Sequence, residues 1–225
     1  MLKAISFDLD NTIIDFMNMK RKASDAAAVQ MLNHNVKINN IKNKLFKYYL
    51  KEGIEGNLTF TKFLKQHHQY SDKVLAAALN AYTITKYREM KPYKGTKETL
   101  KKLKNLKLKL AIITDAPRLK AYQRLEAMKL TIFFDAIICL EDTKSTKETA
   151  LPFKKALKIL KLKPEEVLHV GDNIQRDING ARKLGIKSCL AKYDQTIKGK
   201  GKPDFKINKI TEIVKIASKL KAAGN

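Results

Sequence analysis

The chain has 225 residues and a mass of 25.6 kDa, with 46 lysines and arginines against 22 acids, a net charge of +24 and 44% apolar content. That is one or two domains with enough apolar surface to fold; it is not a disordered chain, two cysteines do not make a disulfide scaffold, and no apolar run approaches the ~18 residues of a membrane span. The charge suits a polyanion, but lysine carries most of it, only six arginines and no tryptophan occur, and no tail concentrates it, so nucleic acid is not the expected partner.

The opening MLKAISFDLD reaches acids too soon for a secretory signal, and a cytoplasmic protein, monomer or homodimer, is expected. Residues 3–9 (KAISFDL) read as a short apolar strand ending on acids. Residues 16–51 read as one long helical stretch, followed by helices over 58–70 and 72–90, the latter with Val74, Leu75, Leu79 and Tyr82 at helical spacing. KPYKG (91–95) is a break, and 96–107 is an amphipathic helix with Thr96 as N-cap and Leu100, Leu103 and Leu106 on one stripe. From there strands alternate with helices: strand 108–114, helix 117–129, strand 136–140, helix 150–162, strand 166–172, helix 174–184 stopped by Gly185, and strand 187–191. A loop over 198–203, a short strand over 205–208 and a helix over 211–222 close the chain. This alternation predicts an α/β fold with a doubly wound, Rossmann-like parallel sheet formed by 1–15 and 92–225. Residues 16–91 are then a smaller all-helical domain inserted after the first strand.

Ligands of open α/β sheets bind at the carboxyl ends of the strands. Asp8 and Asp10 follow the first strand, Thr114 ends the second, Lys144 and Lys147 follow the third, and Asp172 ends the fourth with Asp177 five residues on. Four carboxylates in one cleft repel one another and need compensation. A divalent cation supplies it, and an all-oxygen site suits Mg²⁺. A lysine such as Lys147 offsets further charge, and the Thr114 hydroxyl can hold a phosphate oxygen.

The strings ISFDLDNT, AIIT ending at Thr114, Lys147 to Phe153 (KETALPF) and GDNIQRD over 171–177 resemble, in order, the four motifs of the haloacid dehalogenase-like (HAD) hydrolase superfamily. The resemblance covers essentially the whole chain. The helical insert looks like the cap of the members with a C1 cap, and the runs 15–22 and 114–117 look like archaeal ones. The third motif departs from the pattern, because Glu148 and Ala150 replace two prolines, and Lys144 is a rival to Lys147.

The resemblance implies a phosphatase of a small phosphorylated metabolite, such as a sugar, triose, glycolate or nucleotide phosphate. Asp8 is then the nucleophile and Asp10 the general acid and base. Mg²⁺ sits on Asp8, Asp10 and Asp172, with Asp177 behind them, and Thr114, Asp115 and Lys147 hold the phosphoryl group. The dehalogenases resemble this chain but lack an acid at the position of Asp10. A phosphomutase, a dehalogenase and a polyanion-binding protein on the same fold are the alternatives. In the cap, Lys20 and Arg21, with Lys22 beside them, are candidate contacts for a second anionic group of the substrate. The pair His67-His68 is not expected to bind metal, since neighbours on a helix point apart.

Overall fold

The structure is a computed structural model that describes residues 1–53, 58–193 and 199–223. The chain divides into two compact units, Met1–Asp15 with Pro92–Asn225, and Phe16–Lys91.

The first unit is a six-stranded sheet: β1 (Ala4–Phe7), β2 (Lys109–Ile113), β3 (Ala136–Ile138), β4 (Val167–Gly171), β5 (Lys187–Ala191) and β6 (Phe205–Ile207). Their order is β3-β2-β1-β4-β5-β6, and every pairing is parallel. β1 is flanked by β2 and β4, with Phe7 in register with Ile112 and Val170. All four residues of β1 and all five of β4 are buried, as expected of strands covered on both faces. One core layer packs Ala111, Ile113 and Ile138 of the sheet against Phe153, Ala156 and Leu160.

The inserted unit contains α1 (Phe16–Asn33), α2 (Ile41–Glu52), α3 (Thr59–Gln66) and α4 (Asp72–Arg88). The single helix expected over 16–51 is broken between α1 and α2. Asn35 and Asn40 take left-handed backbone there, with φ of 61° and 54°, which asparagine tolerates better than other side chains. The apolar spacing carries on through the break because Val36 and Ile38 are buried in the same core. α4 packs chiefly along α1, and small residues make the approach close: Ala23, Ala27, Ala28 and Ala78 are fully buried. Leu79, expected on the apolar stripe, is instead 39% exposed. Ser71 caps α4, its Oγ accepting the Val74 N–H at 3.3 Å.

The other helices belong to the sheet unit: α5 (Thr96–Asn105), α6 (Arg118–Ala127), α7 (Leu140–Thr143), α8 (Leu151–Leu160), α9 (Gly180–Arg182) and α10 (Ile213–Ala222). The cap of α5 is Gly95 and not Thr96, because the Thr96 hydroxyl donates to the Tyr93 carbonyl at 2.7 Å and Gly95 supplies a φ of 84°. The strand expected to Leu140 stops at Ile138, since Asp142 turns back to accept the Cys139 N–H at 2.8 Å and starts α7. The helix expected over 174–184 is a π-helical turn (Ile174–Asn179) followed by the short α9, closed by left-handed Gly185. The loop expected over 198–203 begins at a residue outside the described ones.

Candidate active site

The strand ends meet at one edge of the sheet. The Asp8 N–H donates to the Val170 carbonyl at 2.8 Å and the Thr114 N–H to Ile138 at 2.9 Å. Each ladder is thus prolonged by one residue, and each functional side chain is held on a hydrogen-bonded backbone. After Asp8 the chain turns sharply. Asn11 adopts a left-handed φ of 59°, and the N–H groups of Ile13 and Ile14 both donate to the Leu9 carbonyl. Tyr193 pins this loop from the end of β5, its hydroxyl donating to the Thr12 carbonyl at 2.5 Å, and its ring meets Tyr93 edge to face.

Lys147 lies at the centre of the buried charge. Its side chain is 3% exposed, and its Nζ donates to Asp8 Oδ1 and lies 2.5 Å from Asp177 Oδ1. Gly180 makes room for this segment: a Cβ there would sit 2.3 Å from the Lys147 carbonyl. Lys144, the rival lysine, is exposed and sits in a left-handed turn at the end of α7. Asp177 is also anchored by the Asn173 N–H at 2.9 Å and faces His169 Nε2 at 3.4 Å. His169 Nδ1 in turn lies 2.9 Å from Ser6 Oγ, its partner across the β1–β4 pair. Ser6, His169 and Asp177 are all buried, and Phe153 covers the imidazole edge to face at 4.8 Å.

Carboxylate oxygens of Asp8, Asp172 and Asp177 lie within 4.8 Å of one another. Burial pushes Asp8 well above its ordinary carboxylate range; Lys147 opposes this, and the charges on Asp177 and Asp172 add to it. Burial and Asp177 push Asp172 up to about 7. Asp177 behaves in the opposite way: burial would raise it, but Lys147 and the hydrogen bond from His169 hold it below its usual range. Lys147 is raised despite its burial because Asp177, Asp8 and Asp115 surround it, so it is charged. Burial lowers His169, which is therefore neutral. Among the described residues the cluster sets three carboxylates against the Lys147 ammonium, with the Arg176 guanidinium acting on Asp172. Hard oxygen donors in that state fit a divalent cation.

Three of the four expected carboxylates converge, and Asp10 does not join them. Beyond β1 the turn at Asn11 ends strand alternation, and Asp10 Oδ2 accepts from Arg124 Nη1 at 2.7 Å. The Thr114 hydroxyl accepts the Ala116 N–H at 3.1 Å, which leaves its own O–H as a donor. The Asp115 carboxylate accepts the Lys147 N–H at 2.9 Å and faces Arg176 at 3.4 Å.

In the helical unit, Lys20 is buried, donating to the hydroxyls of Tyr49 at 2.9 Å and Tyr82 at 3.1 Å. Arg21 binds Asp25 at 3.1 Å and Asn43 at 2.6 Å, and Lys22 pairs with Glu89 at 2.9 Å. His67 follows α3 and packs on Phe63, while His68 has a left-handed φ of 54°. Motif reading passed over Ser6, Arg124, His169 and Arg176. Of these only His169 left a sequence signal, as one polar residue inside an apolar strand.

The haloacid dehalogenase-like hydrolase family pattern matches residues 5–191. The chain is 31% identical to the glyceraldehyde 3-phosphate phosphatase of Methanocaldococcus jannaschii, over 98% of this chain and 99% of that protein. It is 34% identical to the pyrophosphatase PpaX of Bacillus cereus, over 61% of this chain and 68% of that one. Among solved structures, a putative β-phosphoglucomutase from Thermotoga maritima superposes with a TM-score of 0.76 at 17% identity, covering 97% of this chain and 99% of that one. The magnesium-bound putative hydrolase YfnB of Bacillus subtilis gives 0.72 at 23%, covering 96% and 98%. Together with the parallel sheet and its edge of carboxylates, these matches establish that the chain belongs to the haloacid dehalogenase-like hydrolase family.

Proposed function

We propose that the protein is a Mg²⁺-dependent phosphatase that hydrolyses a small phosphate monoester, with the helical unit as its cap. The observation that carries this reading is the buried set at the end of the central strand: Asp8 against the Lys147 ammonium, with Asp172 beside it.

Asp8 is the nucleophile. One of its oxygens forms a bond to phosphorus as the ester P–O bond breaks, and the departing oxygen takes that bond's electron pair and a proton from Asp10. In the second half, Asp10 receives a proton from a water whose oxygen bonds to phosphorus. The bond to Asp8 then breaks, and inorganic phosphate leaves. Lys147 and the Thr114 hydroxyl hold the phosphoryl oxygens. Asp177, bound to Lys147 and steadied by His169, keeps that ammonium charged and aimed. Asp115 fixes the Lys147 backbone. The Asp8 and Asp172 carboxylates, with the Asp10 carbonyl, would hold the metal. When bound, Mg²⁺ screens the anionic nucleophile from the anionic ester and stabilises charge on the transferring group.

Triose phosphates are the first substrates to test, because the relatives that match along nearly their whole length are named for glyceraldehyde 3-phosphate. The assay is p-nitrophenyl phosphate and then a panel of triose, sugar, glycolate and nucleotide phosphates, with and without Mg²⁺, for wild type and Asp8→Asn. Mg²⁺-dependent phosphate release that disappears in Asp8→Asn is the expected result. A wild type inert across the whole panel would sink the proposal.

A further inference from the structure

We infer that Arg124 is a positioning residue for Asp10, a role that rests on the phosphatase reading above. α6 otherwise turns apolar residues inward: Ala121 and Leu125 are fully buried. Between them it sends one cation into the protein, and Arg124 is only 4% exposed. A buried guanidinium is costly unless a counter-charge meets it. Its Nη1 donates to Asp10 Oδ2 at 2.7 Å, the length of a strong charge-assisted bond. Arg118, at the start of the same helix, is spent on the surface, pairing with Asp142 at 2.8 Å.

Asp8 is gripped by Lys147, and Asp177 by Lys147, the Asn173 N–H and His169. Asp10 stands outside that cluster, in a loop with a left-handed turn at its next residue. A planar guanidinium on Oδ2 restrains rotation about the Cβ–Cγ bond and fixes the direction in which the carboxyl group faces. Arg124 touches neither the phosphorus nor the leaving oxygen in this scheme. It acts by holding the carboxyl that does.

A group that aims the general acid matters most when the leaving oxygen needs a proton. p-Nitrophenolate leaves readily without one, whereas phenolate gains much more from protonation, and the two esters are nearly the same shape. The experiment compares kcat and KM for p-nitrophenyl phosphate and phenyl phosphate with wild type, Arg124→Lys, Arg124→Ala and Asp10→Asn. In the arginine variants kcat/KM on phenyl phosphate, which reports the half-reaction that expels the leaving group, should fall ~10²-fold, with a far smaller loss of kcat/KM on p-nitrophenyl phosphate. Millimolar guanidinium added to Arg124→Ala should restore part of the phenyl phosphate rate. In an Asp10→Asn background, Arg124→Lys should add almost nothing, which keeps the test valid even if Arg124→Ala fails to fold. Equal losses of kcat/KM on both esters without guanidinium rescue would overturn the assignment and leave the phosphatase reading standing. A wild type inert on every ester would overturn both.

Discussion

Asp177 fills the space that a side chain on Gly171 would need: a Cβ there would lie 2.3 Å from the Asp177 Cγ. The acid at the end of the GDNIQRD run folds back over the glycine at its start, and the π-helical turn between them brings it there. Gly171→Ala must therefore move the Asp177 carboxylate, and with it the counter-charge of Lys147. The expected cost is about 1–3 kcal/mol of stability and about 10²-fold in kcat, measured by denaturant unfolding and steady-state kinetics. A variant with full activity would mean that Asp177 does not need its present position.

The two candidate lysines are separable by substitution. Lys147→Met strips the counter-charge from buried Asp8 and Asp177, so it should cost about 3–5 kcal/mol in a cation-free buffer and about 10²–10³-fold in kcat. Lys144→Ala changes an exposed side chain and should stay within about 0.5 kcal/mol of wild type, with kcat unchanged. Reversed outcomes in a parallel melt and activity assay would transfer the phosphate contact to Lys144.

Asp172 offers a test of the metal without turnover. With a divalent cation at saturating concentration, wild type should melt at a higher temperature, since about 100-fold excess over Kd is worth ~2.7 kcal/mol. Asp172→Asn should lose most of that shift. In EDTA it should be the more stable protein, by about 0.5–2 kcal/mol, because one of three crowded carboxylates has gone. Equal Mg²⁺ shifts in both proteins would remove Asp172 from the ligand set.

Burial pushes the Cys139 thiol up to about 11 and the Cys189 thiol up to about 12. A thiol raised in the fold above its unfolded value of 9.0 favours the folded state below that value. The contribution then fades as pH climbs from 9 toward 12, because the unfolded chain releases its protons first. Neither thiol should react with a disulfide reagent at pH 8 in the native protein, and both should react after unfolding. Stability measured from pH 8 upward should decline, and the decline should lessen in a Cys139→Ala, Cys189→Ala double variant. Rapid labelling of the native protein would show that these side chains open readily.

Much of the sheet and its edge was legible because each strand prints its own ending. Asp8, Thr114 and Asp172 each stand where an apolar run meets turn-forming residues, and a parallel sheet sends all such endings to one side. Less legible was anything that depends on how the chain turns between elements. Apolar spacing through Val36 and Ile38 hid the break between α1 and α2, since these residues are buried whether or not the helix continues. The pairing of Asp10 with Arg124 joins residues 114 positions apart, and no local pattern marks an arginine on a helix as inward-facing. His169 was visible as an odd polar residue in a strand, but its partners Ser6 and Asp177 emerge only from register and from the π-helical turn.

The central place of β1 has a consequence for synthesis. Residue 4 pairs on one side with residue 109 and on the other with residue 167. At about 5–20 residues per second, the strand that carries the nucleophile leaves the ribosome roughly 10 to 30 seconds before its second neighbour exists. Until β2 emerges it is an apolar segment with both edges open, and until β4 emerges one edge stays open, the kind of surface chaperones recognise. The all-helical insert that follows it depends on local contacts and can fold meanwhile. Interrupted translation before β4 would therefore yield a folded helical module tethered to a strand that lacks at least one of its neighbours, with no partial activity to show for it.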